Sequence, residues 1–381
     1  MAGQWRTDIE LVDAHTHLTA LQPEAVDAML EPRDGYDVAF MNLLMLSLPS
    51  SGYINTNPEG LHAKWRRPNQ VFLFAALDYT ALLADVDLRL AYSLPEQVRR
   101  LQSMGCDGMK MLTGMPHWLR QSGISLDCII FEPYFATLEA AQFPLLWHVN
   151  HPEEFWDTNL IPAWAREGGL FYDATFPTKE SIYSQCYRVL ERHPQLTVIF
   201  PHFYFLADDL PRAADLLDRF PGVYLDLTPW TMMYRYFYKR LDKTREFFLK
   251  YQDRLIFGTD LAGGGGVNSS YVLVREFLET EGELKFSHPD LGGPIEGISL
   301  PLDSLRKIYA ANYQRVVSPR PRPLRLPLAL AELNRLAGLQ DQLGAPRNTA
   351  RFFANLMAGG IPSDWERKSV FEGYFASGAV C

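Results

Sequence analysis

Two histidines and an aspartate alternate in the short sequence Asp13-Ala14-His15-Thr16-His17, at the end of an apolar run. Side chains two residues apart share one face of a β-strand, so Asp13, His15 and His17 are expected to point the same way. Two imidazoles that converge from one strand form half of a site for a divalent metal such as zinc. This pair alone is equally compatible with two hydrogen-bonded surface histidines.

Other ionisable side chains fall at the ends of later apolar runs. His148 ends the fifth run, His202 the sixth and Asp260 the eighth, while Lys110 lies in the fourth. The chain has nine histidines, and four of them follow this pattern. Histidines that are merely buried would not favour one end of the strands, so the pattern indicates a functional cluster.

The period of two also predicts which side chains share a face within the later runs. His202 is expected on the face of Val198 and Phe200. Asp226 is expected to face inward from the seventh run, where packing or hydrogen bonding accounts for it as well as substrate contact does.

The residues named so far depend on short apolar runs that recur along the chain and that are rich in β-branched or aromatic residues. Runs that are apolar on both faces favour parallel strands covered by helices. The eight predicted strands cover residues 9–15, 36–46, 71–77, 107–113, 144–150, 196–203, 222–228 and 254–260.

Segments with helical period separate these runs. One of them, residues 94–104, places Leu94, Val98, Leu101 and Met104 on one stripe, and residues 126–141, 179–192, 207–220 and 242–252 are similar. Strict alternation of eight strands with helices predicts an α/β protein with a (β/α)8 TIM barrel and a site at the carboxyl ends of its strands. A doubly wound open sheet is the structural alternative.

Two domains are predicted, a barrel over residues 1–317 and an extension over residues 318–381. The extension begins with the proline-rich connector 318–327, which contains a proline at every second position for three steps. Two or three helices are expected after the connector, packed on the barrel or on a second subunit. A homo-oligomer is therefore left open.

Composition excludes several classes of protein. The chain of 381 residues has 36 basic and 45 acidic residues, a formal charge of −9 and 47% hydrophobic residues, so we expect an ordered core and no nucleic-acid partner. No uncharged apolar stretch reaches about 18 residues, so no membrane span is expected. Four scattered cysteines and an N-terminus without an apolar leader favour a cytoplasmic protein. The expected partner is a small-molecule substrate.

Taken together, the Asp13–His17 motif, His148, His202 and the sequence Phe-Gly-Thr-Asp that ends at Asp260 resemble the metal-dependent amidohydrolase superfamily. The resemblance is to the amidohydrolase-related branch that includes aminocarboxymuconate-semialdehyde decarboxylase. It covers about residues 9–317, since residues 307–316 are similar to the helix that closes that fold.

The resemblance implies that His15, His17, His148 and Asp260 bind one divalent metal, most simply zinc. It implies that His202 is either a ligand of a second metal or an uncoordinated acid/base, and that Asp260 also accepts a proton. Asp13 is expected behind the histidines, as a hydrogen-bond acceptor for them. One ion is favoured over two.

Lys110 has three alternative roles. In two-metal members of the superfamily, a lysine of the fourth strand is carboxylated and bridges the ions. Lys110 could equally hold a substrate carboxylate or extend to solvent.

Several side chains near the ends of the fifth and seventh strands are candidates for substrate contact, because loops at that end line the mouth of a barrel. They are Trp147, Tyr172, Asp173, Trp230 and Arg235. His151, just past His148, is expected to be a wall of the pocket rather than a ligand.

The leading hypothesis is a metal-dependent hydrolase in which metal-activated water attacks a C–N or C–O bond of a small molecule. The first alternative uses the same site for non-oxidative decarboxylation of a small aromatic or unsaturated acid. The second is a non-catalytic barrel that binds a metal and a ligand. An open coordination position argues against the latter, because structural zinc sites are usually closed.

Overall fold

The computed structural model describes residues 9–18, 24–30, 38–47, 54–83, 89–262, 269–345 and 348–360. The glycines at 263–266 and the last helix expected in the extension lie outside these residues. The strands of the main sheet are β1 Val12–His17, β2 Phe40–Leu44, β3 Val71–Ala76, β4 Gly108–Gly114, β5 Leu145–Val149, β6 Val198–Phe200, β7 Val223–Asp226, β8 Leu255–Ile256 and β9 Leu261–Ala262.

This sheet closes into a TIM barrel, as the sequence predicts. Each strand from β1 to β7 pairs in parallel with the next one, and β9 pairs in parallel with β1. β8 and β9 are the two ends of one strand, interrupted at residues 257–260. Within that interruption Ala14 N donates to the carbonyl of Phe257 (3.1 Å), so the first and eighth strands remain joined.

Helices follow the strands in alternation, which is the order that places them on the outside of a barrel. They are α1 Ala25–Leu30, α2 Asn57–Arg66, α3 Thr80–Leu83, α4 Leu94–Met104, α5 Pro116–Ser122, α6 Glu132–Ala140, α7 Ala163–Glu167, α8 Lys179–Arg192, α9 Leu210–Arg219, α10 Thr231–Tyr238, α11 Leu241–Lys250, α12 Ser269–Glu279, α13 Leu302–Arg306, α14 Asn312–Val316, α15 Leu326–Gln342 and α16 Thr349–Met357. A π-helical turn, Lys307–Ala311, joins α13 to α14, and a small antiparallel hairpin pairs β10 Glu281–Glu283 with β11 Glu296–Ile298.

Helix α4 illustrates how local sequence sets these elements. The Ser93 hydroxyl accepts a hydrogen bond from the backbone N of Glu96, which caps the first turn. Gly105 ends the helix in a left-handed conformation (φ +108°), which glycine adopts without steric cost. Val98 and Leu101 are buried against the sheet, so the predicted apolar stripe is the packing face.

The strands bury two different faces. Alternate side chains such as Phe72, Leu146 and Ile199 fill the barrel interior, and Tyr313 of α14 packs on Phe72 with ring centroids 5.1 Å apart. The intervening side chains pack against the helices in a larger cluster. The interior is therefore sealed at the end opposite the carboxyl ends of the strands.

The C-terminal helices pack on the barrel. α16 contacts α2, and α15 contacts both α2 and α4. The Arg335 side chain of α15 donates to Asp78, which follows β3 (2.7 Å), and both charged side chains are buried. The connector is joined to the barrel by Arg325 N, which donates to the carbonyl of Met104 (2.8 Å).

Within the described part of the chain, no helix combines the length and apolar character that crossing a membrane requires.

Candidate metal centre

The first strand brings two histidines together through a β-bulge. Asp13 pairs with Met41 and Thr16 with Leu43, so β1 has one more residue than β2 between these positions. The Nε2 atoms of His15 and His17 lie 3.2 Å apart, and both rings are buried. The bulge therefore leaves the two imidazoles converging at the carboxyl end of the strand.

Asp13 does not serve the histidines as the sequence predicted. Its carboxylate accepts hydrogen bonds from the backbone N of His15 (3.2 Å) and of Thr259 (3.1 Å) and from the Thr259 hydroxyl (2.6 Å). The inserted residue interrupts the alternation of side chains along β1. Asp13 and His15 therefore point in different directions. Asp226 takes the predicted role, since its Oδ2 lies 2.9 Å from His15 Nδ1.

Three imidazoles have their tautomer set by the group at Nδ1. His15 Nδ1 faces the Asp226 carboxylate, His17 Nδ1 faces the carbonyl of Leu44 (3.0 Å), and His202 Nδ1 faces the carbonyl of Thr228 (3.3 Å). Carboxylates and carbonyls only accept, so each Nδ1 carries the proton. Each Nε2 therefore presents a lone pair.

Asp260 adds a carboxylate to these lone pairs. Its Oδ1 lies 3.3 Å from His17 Nε2 and 3.6 Å from His15 Nε2. Ligand atoms of His15, His202 and Asp260 all lie within 4.8 Å of one another.

Burial favours the neutral form of two histidines at this point, His15 and His202. Burial lowers the pKa of His202 to about 4, against the opposing charge of Asp260. Burial also lowers the pKa of His15, and the charge of Lys110 acts in the same direction. Although burial acts to raise it, the pKa of Asp226 is lowered by His15, whose Nδ1–H donates to the Asp226 carboxylate.

His148 is buried beside this group. Its ring centroid lies 5.2 Å from that of His202, and its Nε2 atom has no hydrogen-bond partner among the described residues. Burial lowers its pKa well below the usual value. His148 is thus a neutral imidazole with an unused polar atom.

The spacing of these nitrogen and oxygen atoms fits the coordination of a divalent cation. Zinc bonds to nitrogen and oxygen are about 2.0–2.2 Å long, so tetrahedral ligand atoms lie about 3.4 Å apart. The distances of 3.2–3.6 Å among His15, His17 and Asp260 match that spacing. Lone pairs and a carboxylate at this distance repel each other unless a positive charge lies between them.

Left-handed backbone at three strand ends places side chains of this centre. Asn150, His202 and Asp260 have φ values of +73°, +53° and +59°. A non-glycine residue in this region costs about 1–3 kcal/mol. Backbone hydrogen bonds oppose that cost: Asn150 N donates to Gly114 O (2.9 Å), His202 N to Asp226 Oδ1 (2.8 Å) and Asp260 N to His15 O (2.8 Å).

The structure also corrects the face of β6 on which the sequence predicted His202. Val198 and Phe200 pack in the cluster that faces the helices, whereas Ile199 faces the barrel interior. His202 would therefore point outward in a regular strand. The turn after Pro201 redirects it to the centre.

Lys110 lies in β4 with its side chain buried. Its charge contributes to the lowered pKa values of His15, His148 and His202. The structure thus places it within electrostatic reach of the centre. Its burial shows that it does not extend to solvent, and the other two predicted roles, carboxylation and binding of a substrate carboxylate, stay predictions.

A cavity of about 190 Å³ opens above these residues. His148, His202 and Asp260 form its floor. Its other lining residues are Met115, His151, Pro152, Phe155, Trp164, Leu170, Phe205, Pro229, Trp230, Thr231 and Asp290. No lysine or arginine of the described chain belongs to this lining.

Of the five residues predicted to contact substrate, only Trp230 lines the cavity. Trp147 is buried on the helix side of β5 against Phe135 (ring centroids 5.1 Å), as its position next to inward-facing His148 requires. Asp173 is exposed and accepts hydrogen bonds from Thr175.

The other two residues also lie away from the lining. Arg235 is exposed on α10 beside Gly292. Tyr172 lies behind His151, and its hydroxyl is hydrogen-bonded to His151 Nδ1.

His151, Phe155 and Trp164 complete the wall of the cavity. His151 lies where the sequence predicted a pocket wall, and burial lowers its pKa to about 3. Phe155 and Trp164 belong to the long connection between β5 and α8, which includes the short helix α7. Their aromatic character was the only signal for them in the sequence.

Comparison with known proteins identifies a family. The family model described as amidohydrolase matches residues 12–317. No curated protein matches the chain significantly.

Solved structures show distant similarity. An uncharacterised TIM-barrel protein from Bordetella bronchiseptica is 14% identical with a TM-score of 0.49, covering 82% of this chain and 99% of its own. An amidohydrolase II structure is 17% identical with a TM-score of 0.48, covering 81% and 100%. A 2,6-dihydroxybenzoate decarboxylase from Rhizobium is 14% identical with a TM-score of 0.46, covering 83% and 99%. At these TM-scores, the similarities carry no inference about function.

Proposed function

The chain belongs to the amidohydrolase family, and we propose that it is a metal-dependent hydrolase that cleaves a C–N or C–O bond of a small molecule. The observation that carries this proposal is the convergence of unprotonated Nε2 atoms and the Asp260 carboxylate on the floor of a cavity. Such a site can bind a cation and a substrate side by side.

His15, His17, His148 and Asp260 would hold the ion. Zinc is the preferred ion, because imidazole-rich sites with a carboxylate suit it, and one ion is preferred to two. When bound, such an ion polarises a substrate carbonyl and lowers the pKa of a water molecule to about 7. Asp226 would keep His15 in the tautomer that binds it.

Asp260 and His202 would move protons. Asp260 belongs both to the cluster of candidate metal ligands and to the lining of the cavity. Its carboxylate can therefore accept a proton from water. His202 presents an Nε2 lone pair to the same cavity while Thr228 holds its Nδ1 proton. It can therefore accept a proton from the attacking group and return it to the leaving group.

Decarboxylation of a planar acid is the second candidate. The aromatic walls formed by Phe155, Trp164, Phe205 and Trp230 favour a flat substrate.

Elemental analysis of protein purified without added metal tests the site. We expect about one divalent ion per chain, and its loss in His15→Ala and Asp260→Ala. Asp173→Ala is the matched control, because this exposed aspartate lies outside the cavity. Full occupancy in both site variants, with an intact fold by circular dichroism, would contradict the proposal.

His202→Asn tests the chemistry once a substrate is found. It should retain metal and fold but lose roughly 10²–10⁴-fold in kcat. An unchanged kcat would exclude His202 as the acid/base. Carbon dioxide among the products would identify decarboxylation, whereas an acid with an amine or alcohol would identify hydrolysis.

A further inference from the structure

His151 differs from the other imidazoles at the centre in the group that faces its Nδ1. His15, His17 and His202 face carboxylate or carbonyl acceptors, whereas His151 Nδ1 faces the hydroxyl of Tyr172. A hydroxyl can donate, and a neutral imidazole has one donor and one acceptor nitrogen. His151 can therefore hold the opposite tautomer, with its proton on Nε2.

The loop after β5 fixes His151 above the floor of the cavity. Asn150 turns the backbone in a left-handed conformation, and its side chain donates to the carbonyl of Lys179 (3.0 Å). The His151 ring lies with its centroid 5.2 Å from that of His148, and it lines the cavity. It is thus one ring further out than the residues that would hold the ion.

Tyr172 is itself held in place. Its backbone N donates to the carbonyl of Phe155 (2.8 Å), and its ring is buried between aromatic neighbours, with Trp156 at 4.7 Å and Phe176 at 4.9 Å between centroids. The rings of Tyr172 and His151 are nearly parallel, with 17° between their planes. The hydroxyl therefore has little freedom to leave Nδ1.

A substrate oxygen bound above the floor of the cavity requires a hydrogen-bond donor on the opposite wall. Asp260 and the Nε2 atom of His202 are both acceptors, and a substrate oxygen that gains negative charge is an acceptor too. Such an oxygen is stabilised by a donor that is already oriented before the reaction. His151 is the imidazole of the lining whose outer nitrogen can carry a proton.

We propose that Tyr172 donates to His151 Nδ1 and that His151 Nε2–H in turn donates to a substrate oxygen bound above the metal centre. His151 is then a catalytic residue, and Tyr172 is a positioning residue that acts through it. The assignment rests on the proposed function, because the oxygen is that of the group which the centre attacks.

Nitrogen-15 NMR of histidine-labelled protein tests the tautomer directly. We expect the proton of His151 on Nε2 in the full-length protein, with or without zinc. In Tyr172→Phe that preference should be lost. A wild-type His151 with its proton on Nδ1 would overturn the proposal.

Binding of benzoate to zinc-loaded protein tests the donor. A hydrogen bond to a charged oxygen implies that His151→Phe weakens benzoate binding roughly 10- to 100-fold, with unchanged zinc content. His117→Phe is the matched control, because the His117 ring also contacts the Tyr172 ring (centroids 5.2 Å apart) but lies outside the cavity lining, where its Nε2–H donates to the carbonyl of Gly169 (3.0 Å). It should leave both the tautomer and the affinity unchanged.

The outcomes separate the two proposals. Wild-type protein that retains no zinc contradicts the proposed function, while the tautomer measurement still decides the role of Tyr172. Benzoate that fails to bind zinc-loaded wild-type protein at millimolar concentration, or that binds His151→Phe equally well, overturns the role of His151.

Discussion

Replacing Asp226 by asparagine should invert the tautomer of His15. The Asp226 Oδ1 accepts hydrogen bonds from the backbone N of His202 (2.8 Å) and of Thr228 (3.1 Å), and Oδ2 lies 2.9 Å from His15 Nδ1. An asparagine must keep its oxygen toward the two backbone donors. Its amide NH₂ then faces His15 Nδ1, so Nδ1 must become the acceptor and the proton must move to Nε2.

That proton would occupy the direction in which His15 presents its lone pair to the metal centre. Residues that hold a metal-binding histidine typically contribute 10- to 100-fold to metal affinity. We expect the same loss of zinc affinity here, which corresponds to about 1.4–2.8 kcal/mol. The backbone bonds of His202 and Thr228 remain, so the fold should persist.

Competition between the protein and a chromogenic chelator measures the zinc affinity, and nitrogen-15 shifts of His15 report its tautomer. Asp13→Asn is the matched control: Asp13 is equally buried, lies in the same strand as His15, and accepts hydrogen bonds from the backbone of His15 and Thr259. Zinc affinity of Asp226→Asn within twofold of wild type would refute the reasoning. An equal loss in both variants would attribute the effect to general loosening instead.

Three further predictions concern stability. Burial raises the pKa of Glu59 to about 8, so its stabilising contribution is complete below pH 4.5 and is lost as pH rises through 8. Glu59→Gln should therefore gain up to about 5 kcal/mol over wild type between pH 5 and pH 9 in urea unfolding, and parallel pH profiles would contradict this. Arg335→Met leaves Asp78 buried beside α15 without this ion pair, so it should cost about 3–5 kcal/mol in the same assay; a loss below about 1 kcal/mol would show that the pair is dispensable. Gly105→Ala should lower the melting temperature more than Gly123→Ala: both have positive φ, but a Cβ at Gly105 would lie 2.3 Å from a carbonyl oxygen of the connector, while nothing lies within 4 Å at Gly123.

The barrel could be predicted because its signals are local and repeated. Each parallel strand is buried on both faces, so eight apolar runs were visible in the sequence, and α4 begins and ends at the predicted residues 94–104. The period of two correctly places His148 and Asp226 toward the interior. The same period places Trp147 on the opposite face from its neighbour His148. The prediction that Trp147 contacts substrate was therefore inconsistent with the alternation of side chains along β5.

The remaining features of the centre arise from interactions between strands. The bulge in β1 is set by its register with β2, and nothing in the local sequence marks it. The turn at His202 depends on the Asp226 carboxylate, which is 24 residues away and accepts its backbone N–H. The loop after β5 was too long for periodicity to show which of its aromatic residues reach the cavity.

The departures from regular strand geometry share one physical consequence. A bulge at His15 and left-handed turns at His202 and Asp260 bring lone pairs and a negative charge into mutual contact, and each turn costs about 1–3 kcal/mol. A fold gains nothing from this arrangement by itself, since repulsion adds to strain. A bound divalent cation reverses the sign of the electrostatic term and stabilises the native state by mass action. We therefore propose that the strain is the cost of preorganising a cation site, held in place by hydrogen bonds such as the one from His202 N to Asp226.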